Sequence, residues 1–117
     1  MEFNQDIKLL IDGKWIQSSE RDSLPLINPA TEEILSNVPI ANDKDLDNSL
    51  ISSHKAFKIW SKFPPLKRQS IMLKAVEIIK SRQEEIAKTL TMEMGKTLRE
   101  SRQEINQVIE TTVWCAE

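Results

Sequence analysis

The sequence predicts an α/β chain in which β-hairpins come first and three to four α-helices follow. Three observations predict it. Asp12-Gly13 stands between the apolar runs Leu9-Leu10-Ile11 and Trp15-Ile16. Ile34, Ser36, Val38 and Ile40 alternate with Leu35, Asn37 and Pro39, which is the period of a strand. From Pro64 to Gly95, Met72, Ala75, Val76 and Ile79 recur at i, i+3, i+4 and i+7, and Ile86, Leu90 and Met94 continue the helical stripe.

The elements follow in order. Asp-Gly is a strong hairpin signal, because a type I′ turn needs positive φ at both central residues. Ser18 to Ser23 is polar and reads as a surface loop. Leu24–Ile27 and Ile34–Ile40 read as strands, and Pro25 and Pro39 confine them to edges, since proline cannot donate to a ladder. Asn28-Pro29-Ala30-Thr31 between them is a turn. Asn42 or Asp43 caps a first helix with acidic residues in its first turn. Leu46, Leu50, Ser53, Phe57 and Trp60 share one face of it. It ends near Ser61–Phe63, before Pro64 and Pro65. Pro65 suits the first turn of the next helix, where its missing N–H costs nothing. Ser81-Arg82-Gln83-Glu84 is a capping-box pattern that divides the long periodic stretch into two helices or bends it. Gly95 suits the left-handed position that closes a helix. Thr97-Leu98-Arg99-Glu100 is a second capping box. It starts a last helix with Leu98, Ser101, Ile105, Val108, Ile109, Thr112 and Ala116 on its stripe. That helix runs apolar and without a capping signal into Glu117, beside strands that read as edges. The expectation is a piece of a larger fold.

The chain has 117 residues, 16 Lys and Arg against 18 Asp and Glu, and a net charge of −2. One domain or part of one is expected. The charge balance offers no field of one sign to nucleic acid or an anionic membrane. At 39% hydrophobic the chain is not expected to be disordered, and it has no apolar run long enough to cross a bilayer. Met1-Glu2-Phe3-Asn4-Gln5-Asp6 is the wrong composition for a secretory signal, and a single cysteine cannot form an internal disulfide. A cytoplasmic, reducing location follows.

Each chemistry-bearing residue has a plain structural role. Cys115 lies at a helix C-terminus, the end that does not activate a thiolate, and is expected to be a small buried hydrophobe. His54, the sole histidine, flanks an apolar stripe and is expected to be partly exposed. No His/Cys pair has zinc-ligand spacing. With only Gly13 and Gly95, the chain contains neither G-x-G-x-x-G nor G-x-x-x-x-G-K-[ST]. Glu84, Glu85, Glu100, Glu104 and Glu110 read as solvated helix faces paired with nearby Arg and Lys, including Arg99 and Arg102. Trp15, Trp60 and Trp114 are expected to anchor the core. The residues alone reveal no active site.

Six stretches in register nevertheless resemble the N-terminal segment of the aldehyde dehydrogenase superfamily. Ile11-Asp12-Gly13-Lys14-Trp15 is similar to the family's first hairpin. Ile27-Asn28-Pro29-Ala30-Thr31-Glu32-Glu33-Ile34 is similar to its NPATGE-x-I turn. Val38–Ala41, and Ala56-Phe57 with Trp60, match the following strand and helix. Arg68, Met72-Leu73 and Ile78-Ile79 match the spacing of the next helix. Glu93-Met94-Gly95-Lys96-Thr97 with Glu100 and Glu104 resembles the E-x-G-K-x-x-x-E-x-x-x-E signature. The departure is the first helix, which is alanine-rich in the family and here carries Asn48, Ser49, Ser52, Ser53 and Lys55.

The resemblance implies that residues 1–117 form the N-terminal part of the cofactor-binding domain of the full α/β fold. It implies NAD or NADP as cofactor of the whole enzyme, a small-molecule aldehyde as substrate, and a homo-oligomer. In the family a cysteine thiolate attacks the aldehyde, hydride passes to the nicotinamide, and a glutamate-activated water releases the acid. Cys115, Glu110 and Glu117 do not match the motifs of those groups, so no catalytic or cofactor-binding residue is assigned. Some members bind a monovalent cation through a carbonyl before the N-P turn and a carboxylate two residues before the G-K; here these would be Leu26 or Ile27, and Glu93. Glu93-Met94-Gly95-Lys96 also resembles the succinate-semialdehyde dehydrogenase branch. Alone, the segment is expected to expose apolar helix faces and to associate or pack poorly. Two other readings compete with this one. The first is a helical module that dimerises through the faces of Met72–Ile79 and Ile105–Ala116. The second is a small helical enzyme using Arg, Lys and Glu at a dimer interface.

Overall fold

The computed structural model describes every residue except Met1, Glu2, Asn4, Gln5, Ser18 and Glu20. Ser18 and Glu20 of the expected surface loop therefore lie outside the described residues. The chain forms two compact units, one up to Lys62 and one from Phe63 to Glu117. Among the described residues, no helix is long and apolar enough to cross a membrane.

The first unit holds two separate antiparallel hairpins and a helix. Strands β1 (Leu9–Ile11) and β2 (Lys14–Ile16) pair with Leu9 opposite Ile16 and Leu10 opposite Trp15. Asp12 (φ 53°) and Gly13 (φ 72°) are both left-handed, as the type I′ turn requires. Strands β3 (Ser23–Ile27) and β4 (Ile34–Pro39) pair from Ser23–Pro39 to Ile27–Ile34, with an irregularity between Leu26 and Ile27. The Asn28 side chain organises the connection by accepting from the Ala30 N–H at 2.9 Å, and the Glu32 N–H donates to the Asn28 carbonyl at 2.8 Å. Among the described residues each strand has one partner, so both prolines stand on edges as expected.

Helix α1 (Asp43–Trp60) is capped by Asn42, whose Oδ1 accepts from the Asp45 N–H at 3.0 Å while Asp45 accepts from the Asn42 N–H. The predicted apolar face of α1 is not buried. Leu46, Leu50 and Phe57 are exposed, and Asp45 is the helix's only fully buried residue. Nor is Trp15 a core anchor. Alternation along β2 puts it opposite to half-buried Ile16, where it stands 66% exposed beside exposed Leu10.

The second unit is three helices: α2 (Pro65–Ser81), α3 (Gln83–Met94) and α4 (Leu98–Ala116). Pro65 opens α2. Gly95 (φ 79°) closes α3, its N–H donating to Thr91. The core is Val76 of α2, Ala87 of α3, and Ile105 and Ile109 of α4, with Ile79, Ile86, Leu90, Leu98 and Val113 packed around it. Buried on α2 are Val76 and, in part, Leu73 and Ile79, whereas Met72 and Ala75 are exposed. Val76 and Ile79 of the expected stripe thus face the core, and Leu73 joins them in place of Met72 and Ala75.

Three further expectations fail here for physical reasons. Ser81 does not cap α3. It still belongs to the last turn of α2, where its hydroxyl donates back to the Ile78 carbonyl at 2.8 Å, and Arg82 occupies the junction. Cys115 is exposed, not buried. At about 100° per residue it falls roughly 240° around the helix from Ile109, away from the core face. Trp114, about 140° from Ile109, is likewise exposed. Trp60 is half-buried and His54 is exposed.

Candidate functional site

Three places gather polar chemistry. The first ties the start of β3 to the start of α1. Arg21 donates from Nε to Asp45 Oδ2 at 2.8 Å and from Nη2 to Oδ1 at 2.5 Å, a bidentate pair with both side chains largely buried. Asp45 also accepts from the Asn42 N–H at 3.1 Å. The Arg21 hydrogen bonds, and then the Asn42 N–H, lower the Asp45 pKa from 3.8 to about 2. This carboxylate holds no spare proton at neutral pH and is fully engaged. Its role is structural: it fastens the entry of α1.

The second is the corner from α3 to α4. Gly95 turns the chain, and Thr97 then caps α4. The Glu100 N–H donates to Thr97 Oγ1 at 3.3 Å, and the Thr97 N–H and hydroxyl donate to Glu100 Oε2 at 3.1 and 2.7 Å. The Thr97 hydroxyl, and then its N–H, hold the Glu100 carboxyl below the ordinary range. Lys96 pairs with Glu104 one turn along. Inside the corner, the wholly buried Ser101 hydroxyl meets that of Thr91 at 2.9 Å, so neither polar group is left unpaired. Arg102 of α4 reaches Glu84 of α3 with two hydrogen bonds at 2.7 and 2.9 Å. Glu100 and Glu104 of the signature thus serve as cap and ion-pair partner. Glu84 and Glu104 find their cations across the corner, whereas sequence reasoning looked only at neighbours along one helix.

The third is an open cleft of about 310 Å³ between the β1–β2 hairpin and α1, lined by Ile11, Asp12, Lys14 and Ile16 and by Asn48, Ile51, Ser52 and Lys55. The last four recur at i, i+3, i+4 and i+7, one face of the helix. The Ser52 hydroxyl donates to Asp12 Oδ1 at 2.8 Å and fixes the hairpin turn to α1.

Of the residues named for a monovalent cation, Leu26 and Ile27 end β3 in the first unit, and Glu93 is an exposed residue of α3 in the second. Among the described residues, no group of three His, Cys, Asp or Glu could hold a metal ion. The two glycines lie between β1 and β2 and between α3 and α4. Neither stands between a strand and a helix N-terminus, the arrangement that cradles a dinucleotide phosphate.

Hairpins, a capped helix and capped corners are the framework of an α/β protein. Comparison with known proteins makes the framework specific. The model of the aldehyde dehydrogenase family matches residues 15–117. Malonate-semialdehyde dehydrogenase 1 from Geobacillus thermodenitrificans is 37% identical over 112 residues, 96% of this chain and 23% of that protein. Among solved structures, aldehyde dehydrogenase 21 from Physcomitrella patens, in complex with the reaction product succinate, superposes with a TM-score of 0.88 at 30% identity, covering 94% of this chain and 23% of that one. An NAD-dependent benzaldehyde dehydrogenase from Corynebacterium glutamicum gives a TM-score of 0.89 at 27% identity, over 96% of this chain and 24% of that one. The chain belongs to the aldehyde dehydrogenase family, and it spans less than a quarter of the length of curated relatives such as the Geobacillus protein, 23% of it.

Proposed function

We propose that these residues are the N-terminal part of the cofactor-binding domain of an NAD(P)-dependent aldehyde dehydrogenase, and that they supply scaffold and no catalytic group. The family match over residues 15–117, which takes in both the hairpin region and the helices, carries this reading. The site geometry supports it, because Glu100 is used in capping α4 and Glu104 and Glu84 are paired with Lys96 and Arg102. The chemistry is oxidation of an aldehyde to its acid. The dinucleotide takes up the hydride and is held by a Rossmann-like region outside these residues. A homo-oligomer in the cytoplasm is part of the same reading.

The substrate class is an aldehyde that also carries a carboxylate. Two similar proteins support this: one is a malonate-semialdehyde dehydrogenase, and the other was solved with succinate as its product. The competing helical module is not favoured. The faces through which it would dimerise pack against each other, Val76 and Ile79 of α2 against Ile105, Ile109 and Val113 of α4. The test joins this segment to the remainder of a full-length relative and measures NAD(P)H formation at 340 nm. Malonate and succinate semialdehydes should be oxidised in preference to uncharged aldehydes of equal length. The 117-residue chain alone should neither oxidise them nor quench NADH fluorescence. Dinucleotide binding by the chain alone would refute the scaffold assignment, and an inactive, folded full-length protein would refute the enzymatic one.

A further inference from the structure

We draw no further inference here: the strongest candidate, the open cleft between the β1–β2 hairpin and α1 with Lys14 and Lys55 at its rim and Ile11, Ile16 and Ile51 on its walls, is lined by exposed and half-exposed side chains, and nothing in the structure shows what covers it.

Discussion

Replacing Ile105 with alanine should destabilise the second unit far more than replacing Val108, although both lie on the apolar stripe of α4. Ile105 is 7% exposed and packs in the cluster with Val76, Ala87 and Ile109, whereas Val108 is 45% exposed. Ile105→Ala removes three carbons from a filled interior. The lost transfer free energy is about 2 kcal/mol, and the cavity left behind raises the total to about 3–4 kcal/mol. Val108→Ala removes two carbons that are already half in water, for about 1 kcal/mol or less. Urea unfolding followed by circular dichroism at 222 nm gives both differences at constant m-value. If Ile105→Ala proves too unstable to measure, Ile105→Val should cost about 1 kcal/mol and keeps the comparison open. Equal losses at positions 105 and 108 would refute the placement of the core between α2, α3 and α4.

Other outcomes follow from single contacts. Glu32 adopts φ 61°, a conformation costly for residues with a Cβ, so Glu32→Gly should stabilise the β3–β4 connection by about 0.5–1 kcal/mol once glycine's extra unfolded-state freedom is subtracted; thermal unfolding measures it. Thr97→Ala should cost about 1 kcal/mol, and the Glu100 carboxyl should titrate closer to its ordinary value by NMR. Asp45 has a folded pKa below its unfolded one, so its contribution to stability is complete above about pH 4 and is lost as pH falls towards about 2. Asp45→Asn should flatten the acid limb of the stability profile in that window, and an unchanged limb would count against the Arg21 pair.

What could be read from the residues was local. The Asp12-Gly13 turn, the Asn42 and Thr97 caps, Pro65 at the start of α2 and Gly95 at the end of α3 are each decided within about four residues, so the local order of residues locates them. Burial is decided by what packs against a residue. Met72 and Leu73 are adjacent and both apolar, yet Met72 is exposed and Leu73 half-buried; only the positions of α3 and α4 select Val76 to face inward. Ser81 carried the right pattern for a cap, but α2 continues through it, so its hydroxyl finds a carbonyl and not an N–H. The Arg21–Asp45 pair was half legible. An acidic residue three places after Asn42 was visible, but its partner lies 24 residues away in what read as an undistinguished polar loop.

The same distinction bears on what the family likeness means. The stretches that carry it include Asp12-Gly13, Asn28–Glu33 and Gly95-Lys96-Thr97 with Glu100 and Glu104, and the structure places each where the chain changes direction. At these points the chemistry is that of positive φ, an Asn side chain bonding two residues ahead, and a reciprocal threonine–glutamate cap. Each such group satisfies a backbone N–H or sets a backbone angle, and so acts on the free energy of the folded chain. A carboxylate in a signature motif is therefore not by that fact a catalytic carboxylate. Here Glu100 is bound to Thr97 and Glu104 to Lys96.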